Sequence, residues 1–150
     1  LLEDVVHTAI MNYMDSLIQK KISLDVYNLE NYVYIDEKWI TFIICQVLQN
    51  SIKYLNKPEK VIKIHSENNK NNVVLVIEDN GEGILDHDLP RVFEYGFTGT
   101  DRQKQYSTGI GLYLCKKLCN KMNLDIKIES QYKKFTKVKI IFPKTNLYRQ

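Results

Sequence analysis

The sequence predicts an α+β two-layer sandwich, with helices on one face of a mixed, mainly antiparallel sheet. Three observations carry this. Helical and strand periods are mixed along the 150 residues instead of following strict strand–helix–strand alternation. One long helix has an apolar stripe broad enough to cover a sheet. The strands fall into hairpin-like pairs, and neither an internal repeat nor a linker divides the chain.

Each element has its own local reason. From Glu3 to Lys20, Val6, Ile10, Tyr13, Leu17 and Ile18 recur at helical spacing. Ile22 to Tyr27 alternates as a strand, and Tyr32-Val33-Tyr34-Ile35 reads as a second, very short one. Asp36 caps a helix running to about Leu55, striped by Trp39, Ile40, Ile43, Ile44, Val47, Leu48, Ile52 and Leu55. Lys57-Pro58 ends it. Val61 to His65 is a strand. Asn68 to Asn72 is a turn, since asparagine tolerates left-handed backbone. Val73 to Glu78 returns as a central strand. A short helix is expected around Leu89 to Phe93, and a longer one from Gly109 to Met122. Strands from Asp125 to Glu129 and Thr136 to Phe142 close the chain. Between Glu94 and Ser107, glycines and polar residues without a period describe a mobile segment.

Composition narrows the function classes. Hydrophobic content of 44% and charged content of 26% are ordinary for a globular domain. A net charge of +3 with scattered lysines gives no electrostatic footprint for nucleic acid. Three cysteines, Cys45, Cys115 and Cys119, argue against a disulfide framework and suit a reducing compartment. Cys115 and Cys119 share a helix face, but His7, His65 and His87 offer no matching zinc spacing, so these read as buried free thiols. No run of about 20 apolar residues spans a membrane. Leu1-Leu2-Glu3-Asp4 has neither an initiator Met nor a leader pattern, and reads as a cut from a longer polypeptide.

Three segments carry chemistry. In Asp79-Asn80-Gly81-Glu82-Gly83-Ile84 an acidic residue ends a strand and glycines follow, which lets a flat ligand approach the backbone. The alternative is a hairpin turn, but Leu85 to Pro90 has helix-start chemistry instead of a second strand. The Asp79 carboxylate can accept from the exocyclic amine of an adenine. In Ser107-Thr108-Gly109-Ile110-Gly111-Leu112, glycines expose N–H groups at the positive end of a helix, where phosphate binds, and Thr108 adds a hydroxyl. On the long helix Gln46, Asn50, Lys53 and Tyr54 cluster beside the apolar stripe. Mg²⁺ takes few protein oxygens, so one amide oxygen from Asn50 beside a ligand's phosphates would hold it. Lys53, Arg102 and Lys104 can meet phosphate charge, and Tyr54 can flank the base. The plain alternatives are a solvated helix face and exposed loop cations.

In this order Gln46, Asn50-Ser51-Ile52-Lys53-Tyr54, Asp79 to Ile84, Val92 to Gly99 and Ser107 to Leu112 resemble the N, G1, F and G2 boxes of sensor histidine kinases. These are the catalytic domains of the family that includes gyrase-type and Hsp90-type ATPases. The resemblance covers roughly residues 22–143 and implies the Bergerat (GHKL ATPase) fold with a mobile ATP lid. It implies ATP with Mg²⁺, with Asp79 on the adenine amine, Gly83 near the base, Tyr54 against the ring, Asn50 on the metal and Lys53 on phosphate. Thr108, Gly109, Gly111 and Leu112 would hold the phosphate tail, and Phe93 and Phe97 would anchor the lid. Thr136 matches a threonine near the adenine, although Phe135 replaces the usual preceding glycine. Gly81, Ile84 and Arg102 complete the implied nucleotide set.

Asp88 to Glu94 and Gly111 to Cys119 further resemble intramembrane-sensing kinases that respond to peptide antibiotics, often beside an ABC transporter. The resemblance thus implies a cytoplasmic domain of a membrane sensor. Residues 1–20 would follow a dimerisation and phosphoacceptor domain, and residues 21–150 would form the catalytic domain. A response regulator would be the downstream partner. The rival readings are a hydrolysing ATPase of the same fold, a serine kinase of the anti-sigma type and a nucleotide-binding module without kinase activity. Hydrolytic relatives use a carboxylate where this chain has Gln46, and an amide cannot act as a general base.

His7, in Val5-Val6-His7-Thr8-Ala9, lacks the acceptor pattern of acidic residue, basic residue and proline. Incubating the chain alone with radiolabelled ATP should therefore leave it unlabelled. Stoichiometric phosphohistidine would overturn this.

Overall fold

The computed structural model describes residues 1–97 and 110–144. Arg102, Lys104, Thr108, Gly109 and the part of the expected mobile segment beyond Phe97 lie outside the described residues.

The elements are α1 (Leu2–Asn12), α2 (Met14–Gln19), β1 (Ile22–Tyr27), α3 (Glu37–Lys53), β2 (Lys60–Asn68), β3 (Asn72–Asp79), a 3₁₀ turn (Leu89–Arg91), α4 (Gly111–Lys121), β4 (Asp125–Gln131) and β5 (Phe135–Pro143). The five strands lie in the order β1-β2-β3-β5-β4, with β1 parallel to β2 and the other pairings antiparallel. The expected mixed, mainly antiparallel sheet under helices is the one that forms. β3 is its central strand.

Alternation turns Ile62 and Ile64 of β2, Leu75 and Ile77 of β3, Ile126 of β4 and Ile140 of β5 toward the helices. There they meet Ile40, Ile43, Ile44 and Leu48 of α3, all fully buried. The Asp36 carboxylate accepts from Lys38 N–H at 2.9 Å and Trp39 N–H at 3.3 Å, the expected cap. At the other end Lys20 Nζ donates to Ile52 O at 3.0 Å, adding to the long 3.5 Å bond that this carbonyl accepts from Leu55 N–H. α4 approaches α3 through Cys115 and Cys119, both buried and free, with Cys115 Sγ 3.9 Å from Ile43 O. Burial pushes these thiols up to about 12 and about 11, so neither carries a thiolate near neutrality.

Several local expectations change. The N-terminal helix breaks at Tyr13, whose N–H turns to Ile10 O at 3.0 Å. The break lets α1 lie along α3 while α2 lies over β1. Leu2, Val5, Val6, Ala9 and Ile10 join the same core as α3. Tyr32 to Ile35 keeps its alternation, with Val33 and Ile35 packed on the core and Tyr32 and Tyr34 exposed, but it finds no partner strand. Segment 28–31 is tied down instead through α1, with Leu2 N–H on Asn31 O at 2.9 Å, and through Asn31 Nδ2 on Ser66 Oγ at 2.7 Å. The β2–β3 turn uses no left-handed asparagine; it closes by Asn69 N–H on Asn72 O at 2.8 Å and an amide–amide bond between the same side chains at 2.9 Å. α3 ends at Lys53 and α4 starts at Gly111, and the turn near Leu89 is 3₁₀.

On the opposite face Val74 and Val76 are buried outside the main core. Val76 lies across from Lys139 and His65, and Val74 across from Ile141. Lysine stems cover apolar strand surface while their heads pair outward, as Lys139 does with Glu129 at 3.1 Å.

Ile44 is fully buried in the core. Ile44→Ala should lower unfolding free energy by about 2–5 kcal/mol in urea titrations, with an unchanged slope.

Candidate functional site: a buried carboxylate at the end of the central strand

Asp79 ends the row Val73, Leu75, Ile77 on β3, so the strand's own period turns its carboxylate toward the helices. It is 5% exposed. Its Oδ1 accepts from Gly81 N–H at 2.9 Å, and the Ser51 hydroxyl supplies a further hydrogen bond. Burial pushes the Asp79 carboxyl up to about 6, and the neighbouring Glu78 adds to this; the bonds from Gly81 and Ser51 act in the opposite direction.

The loop after Asp79 is held on three sides. Asn80 bridges back to the sheet, donating from Nδ2 to Glu59 O at 2.7 Å and accepting at Oδ1 from Val61 N–H at 2.9 Å. Glu82 N–H donates to Tyr54 O at 3.2 Å, at the end of α3. A Cβ on Gly81 would lie 2.8 Å from both Asp79 Oδ1 and Tyr54 O. On the third side stands the β4–β5 turn. Lys133 N–H donates to Glu82 O, Lys57 Nζ donates to Lys133 O, and Ile84 N–H donates to Ser130 Oγ at 2.7 Å. Gly83 has φ of 73°, and a Cβ there would lie 2.3 Å from Gln131 O. Its lack of a side chain is thus required by protein backbone crossing close to it, a reason the sequence does not display.

Thr136 is the β5 residue directly across the ladder from Asp79, and Ser130 of β4 is directly across from Thr136. These three polar residues form a line across the helix-facing end of the sheet. Tyr54, Gly81, Gly83 and Ile84 adjoin it. Along α3, Gln46, Asn50, Lys53 and Tyr54 are all half-buried, and Lys53 Nζ lies 5.7 Å from the Tyr54 ring centre. A Cβ on Gly111 would lie 2.5 Å from Gln46 Oε1, so the first residue of α4 faces that amide. Leu112 follows, half-buried.

Phe93 packs against the core with Lys116 Nζ 5.6 Å from its ring centre, and Tyr95 sits edge-on to Tyr113 at 5.1 Å. α4 thereby holds the entry to the segment after Phe93. Phe97 lies instead against Arg91, 4.5 Å from the guanidinium carbon.

Sequence reasoning passed over Ser51 and Ser130. Both had a signal. Ser51 falls on the apolar stripe of α3, where a small polar residue is out of place. Ser130 continues the inward parity of Ile126 and Ile128 by one residue past the expected strand end. Among the described residues no group of three His, Cys, Asp or Glu side chains could hold a metal ion alone. A neutral amide donor such as Asn50 fits Mg²⁺ arriving with phosphate oxygens.

The open mixed sheet, its helical layer and the polar line beneath α3 define a GHKL-type ATPase domain. The model for histidine kinase-, DNA gyrase B-, and HSP90-like ATPases matches residues 35–146, and the chain belongs to that family. It is 40% identical over 129 residues to the sensor protein kinase GraS of Staphylococcus aureus strain JH1; the match covers 85% of this chain and spans 37% of the relative's length. The fold superposes on the mycobacterial sensor histidine kinase MprB with a TM-score of 0.81 at 20% identity, over 95% of each chain. Histidine kinase ThkA, solved with the response regulator protein TrrA, gives 0.78 at 20% identity over 99% of this chain and 42% of that one. Among the described residues no helix is long and apolar enough to cross a membrane.

The raised Asp79 carboxyl has a consequence for stability. A folded value of about 6 against an ordinary 3.8 means that the folded state holds the proton more tightly. The associated stability is fully present below about pH 4 and is lost as pH rises through about 6, by on the order of 3 kcal/mol. Asp79→Asn should therefore raise unfolding free energy at pH 7.5 and give no gain at pH 4, measured by urea unfolding at both.

Proposed function

We propose that this chain is the ATP-binding catalytic domain of a two-component sensor histidine kinase, and that it binds Mg–ATP for transfer of the γ-phosphoryl group. The observation that carries this reading is the buried Asp79 carboxylate, offered to the helix side of the sheet opposite Thr136. An exocyclic amine is the donor that such an acceptor suits.

In this reading the adenine amine donates to Asp79. Gly81, Gly83 and Ile84 hold the loop beside the base, and Tyr54 lies along the ring. Lys53 and Arg102 meet phosphate charge. Thr108, Gly109, Gly111 and Leu112 hold the phosphate tail at the start of α4. Asn50 would supply the protein's oxygen to Mg²⁺, which neutralises phosphate charge when bound. Phe93 and Phe97 would border a closing segment. A histidine ring nitrogen on a separate dimerisation domain forms a bond to the γ-phosphorus. The bond from that phosphorus to the bridging oxygen breaks, and ADP leaves with the electron pair. Such transfer depends mainly on positioning and charge stabilisation. Gln46 cannot take a proton from water, which favours transfer over hydrolysis.

A response regulator aspartate would receive the phosphoryl group next; the kinship with a sensor protein kinase supports the sensor role, and the whole protein would be membrane-anchored with this domain on its cytoplasmic side. An ABC transporter is the further partner this type of sensor would have.

Hydrogen bonds to charged groups contribute about 1.5–3 kcal/mol. Asp79→Asn should thus weaken ATP binding by roughly 10- to 150-fold in calorimetry. Unchanged affinity would remove Asp79 from the site.

A further inference from the structure

We propose that Ser130 is a positioning residue for base selectivity: it sets the direction of the Thr136 hydroxyl, and thereby the preference for an aminopurine over an oxopurine. This rests on the reading above that the base meets Asp79.

A serine hydroxyl has one proton and two lone pairs. Ser130 Oγ is 2.7 Å from Phe135 O, a carbonyl that only accepts, so the Ser130 proton goes there. Ile84 N–H, at 2.7 Å, only donates and occupies one lone pair. Thr136 Oγ1 stands 3.2 Å away. With the Ser130 proton already placed, the remaining arrangement has the Thr136 hydroxyl donating to the second lone pair. The Thr136 proton therefore points toward β4, and its oxygen is left to the pocket as an acceptor.

Thr136 faces Asp79 directly across the β3–β5 ladder. Side chains so placed are about 5 Å apart at Cβ and address one ligand edge together. That edge meets a carboxylate and a hydroxyl oxygen, both acceptors. An exocyclic amine satisfies them. The carbonyl of an oxopurine meets only oxygen, and leaving buried polar groups unmatched is the strongest form of discrimination a pocket has. Without Ser130, the Thr136 proton is released and can turn to donate to such a carbonyl. The same hydroxyl also holds the loop through Ile84 N–H, so its loss has a second effect, equal for every purine.

The two effects separate in a ratio. The 150-residue chain is titrated with ADP and with GDP by calorimetry, as wild type, Ser130→Ala, Thr136→Val and the double variant. Wild type should prefer ADP. Ser130→Ala should weaken ADP binding and lower the ADP-to-GDP affinity ratio about 5- to 10-fold, the effect of one hydrogen bond. In the Thr136→Val background, Ser130→Ala should leave the ratio unchanged. Ser130→Thr, which keeps the hydroxyl, should restore it. If Ser130→Ala does not fold, Ser130→Cys, a weak donor and acceptor of similar size, carries the same comparison. Equal weakening of ADP and GDP would overturn the selectivity role and leave Ser130 as a loop anchor. Binding of neither nucleotide to wild type would instead overturn the base-pocket reading beneath it.

Discussion

A carboxylate carried into a protein interior must be met by donors, and the end of this sheet is arranged around that requirement. The period of β3 brings Asp79 to the helix side after Val73, Leu75 and Ile77. Gly81 can return its N–H to that carboxylate because a residue with a side chain would strike either the carboxylate or Tyr54 O. Ser51 reaches it from α3. The donors only partly offset burial, so the group retains an unmet capacity to accept. A partner with an amine and no charge of its own completes it without adding a second buried ion.

Around that carboxylate the two layers are joined by backbone more than by side chains. The loop after β3 gives N–H groups to α3 and to Ser130, and takes one from the β4–β5 turn. The Asp79 end of the site is thus built from the regular elements themselves. The other end differs. There Gln46 of α3 meets the first residue of α4, and aromatic contacts to Lys116 and Tyr113 hold the chain that enters the next segment. In the proposed reading the first end would hold the base and the second would meet the phosphates.

Much of this was legible because it is periodic. Asp36, the stripe of α3 and the central apolar strand each follow from spacing and one cap, and Asp79 with its glycines stood out as a break in that strand. What was not legible depended on partners distant in sequence. Tyr32 to Ile35 alternates like a strand, and its inner residues do pack, but β1 already occupies the sheet edge beside β2. Gly83 shows as a glycine, yet the backbone that crowds it is almost 50 residues further on. Ser51 and Ser130 are single hydroxyls with no motif of their own, visible only as polar residues at inward positions.

The turn between β4 and β5 has the outward marks of a dispensable loop. It is short, carries Tyr132, Lys133 and Lys134, and Lys133 takes a left-handed conformation. Such tips are where insertions, purification tags and fluorescent reporters are usually grafted. Here the tip closes on Glu82 and leans on Gly83, so its length is part of the site's geometry. For this fold the safer graft is the asparagine-rich turn between β2 and β3, at the opposite end of the central strand, which closes on itself between Asn69 and Asn72 and touches none of the residues around Asp79.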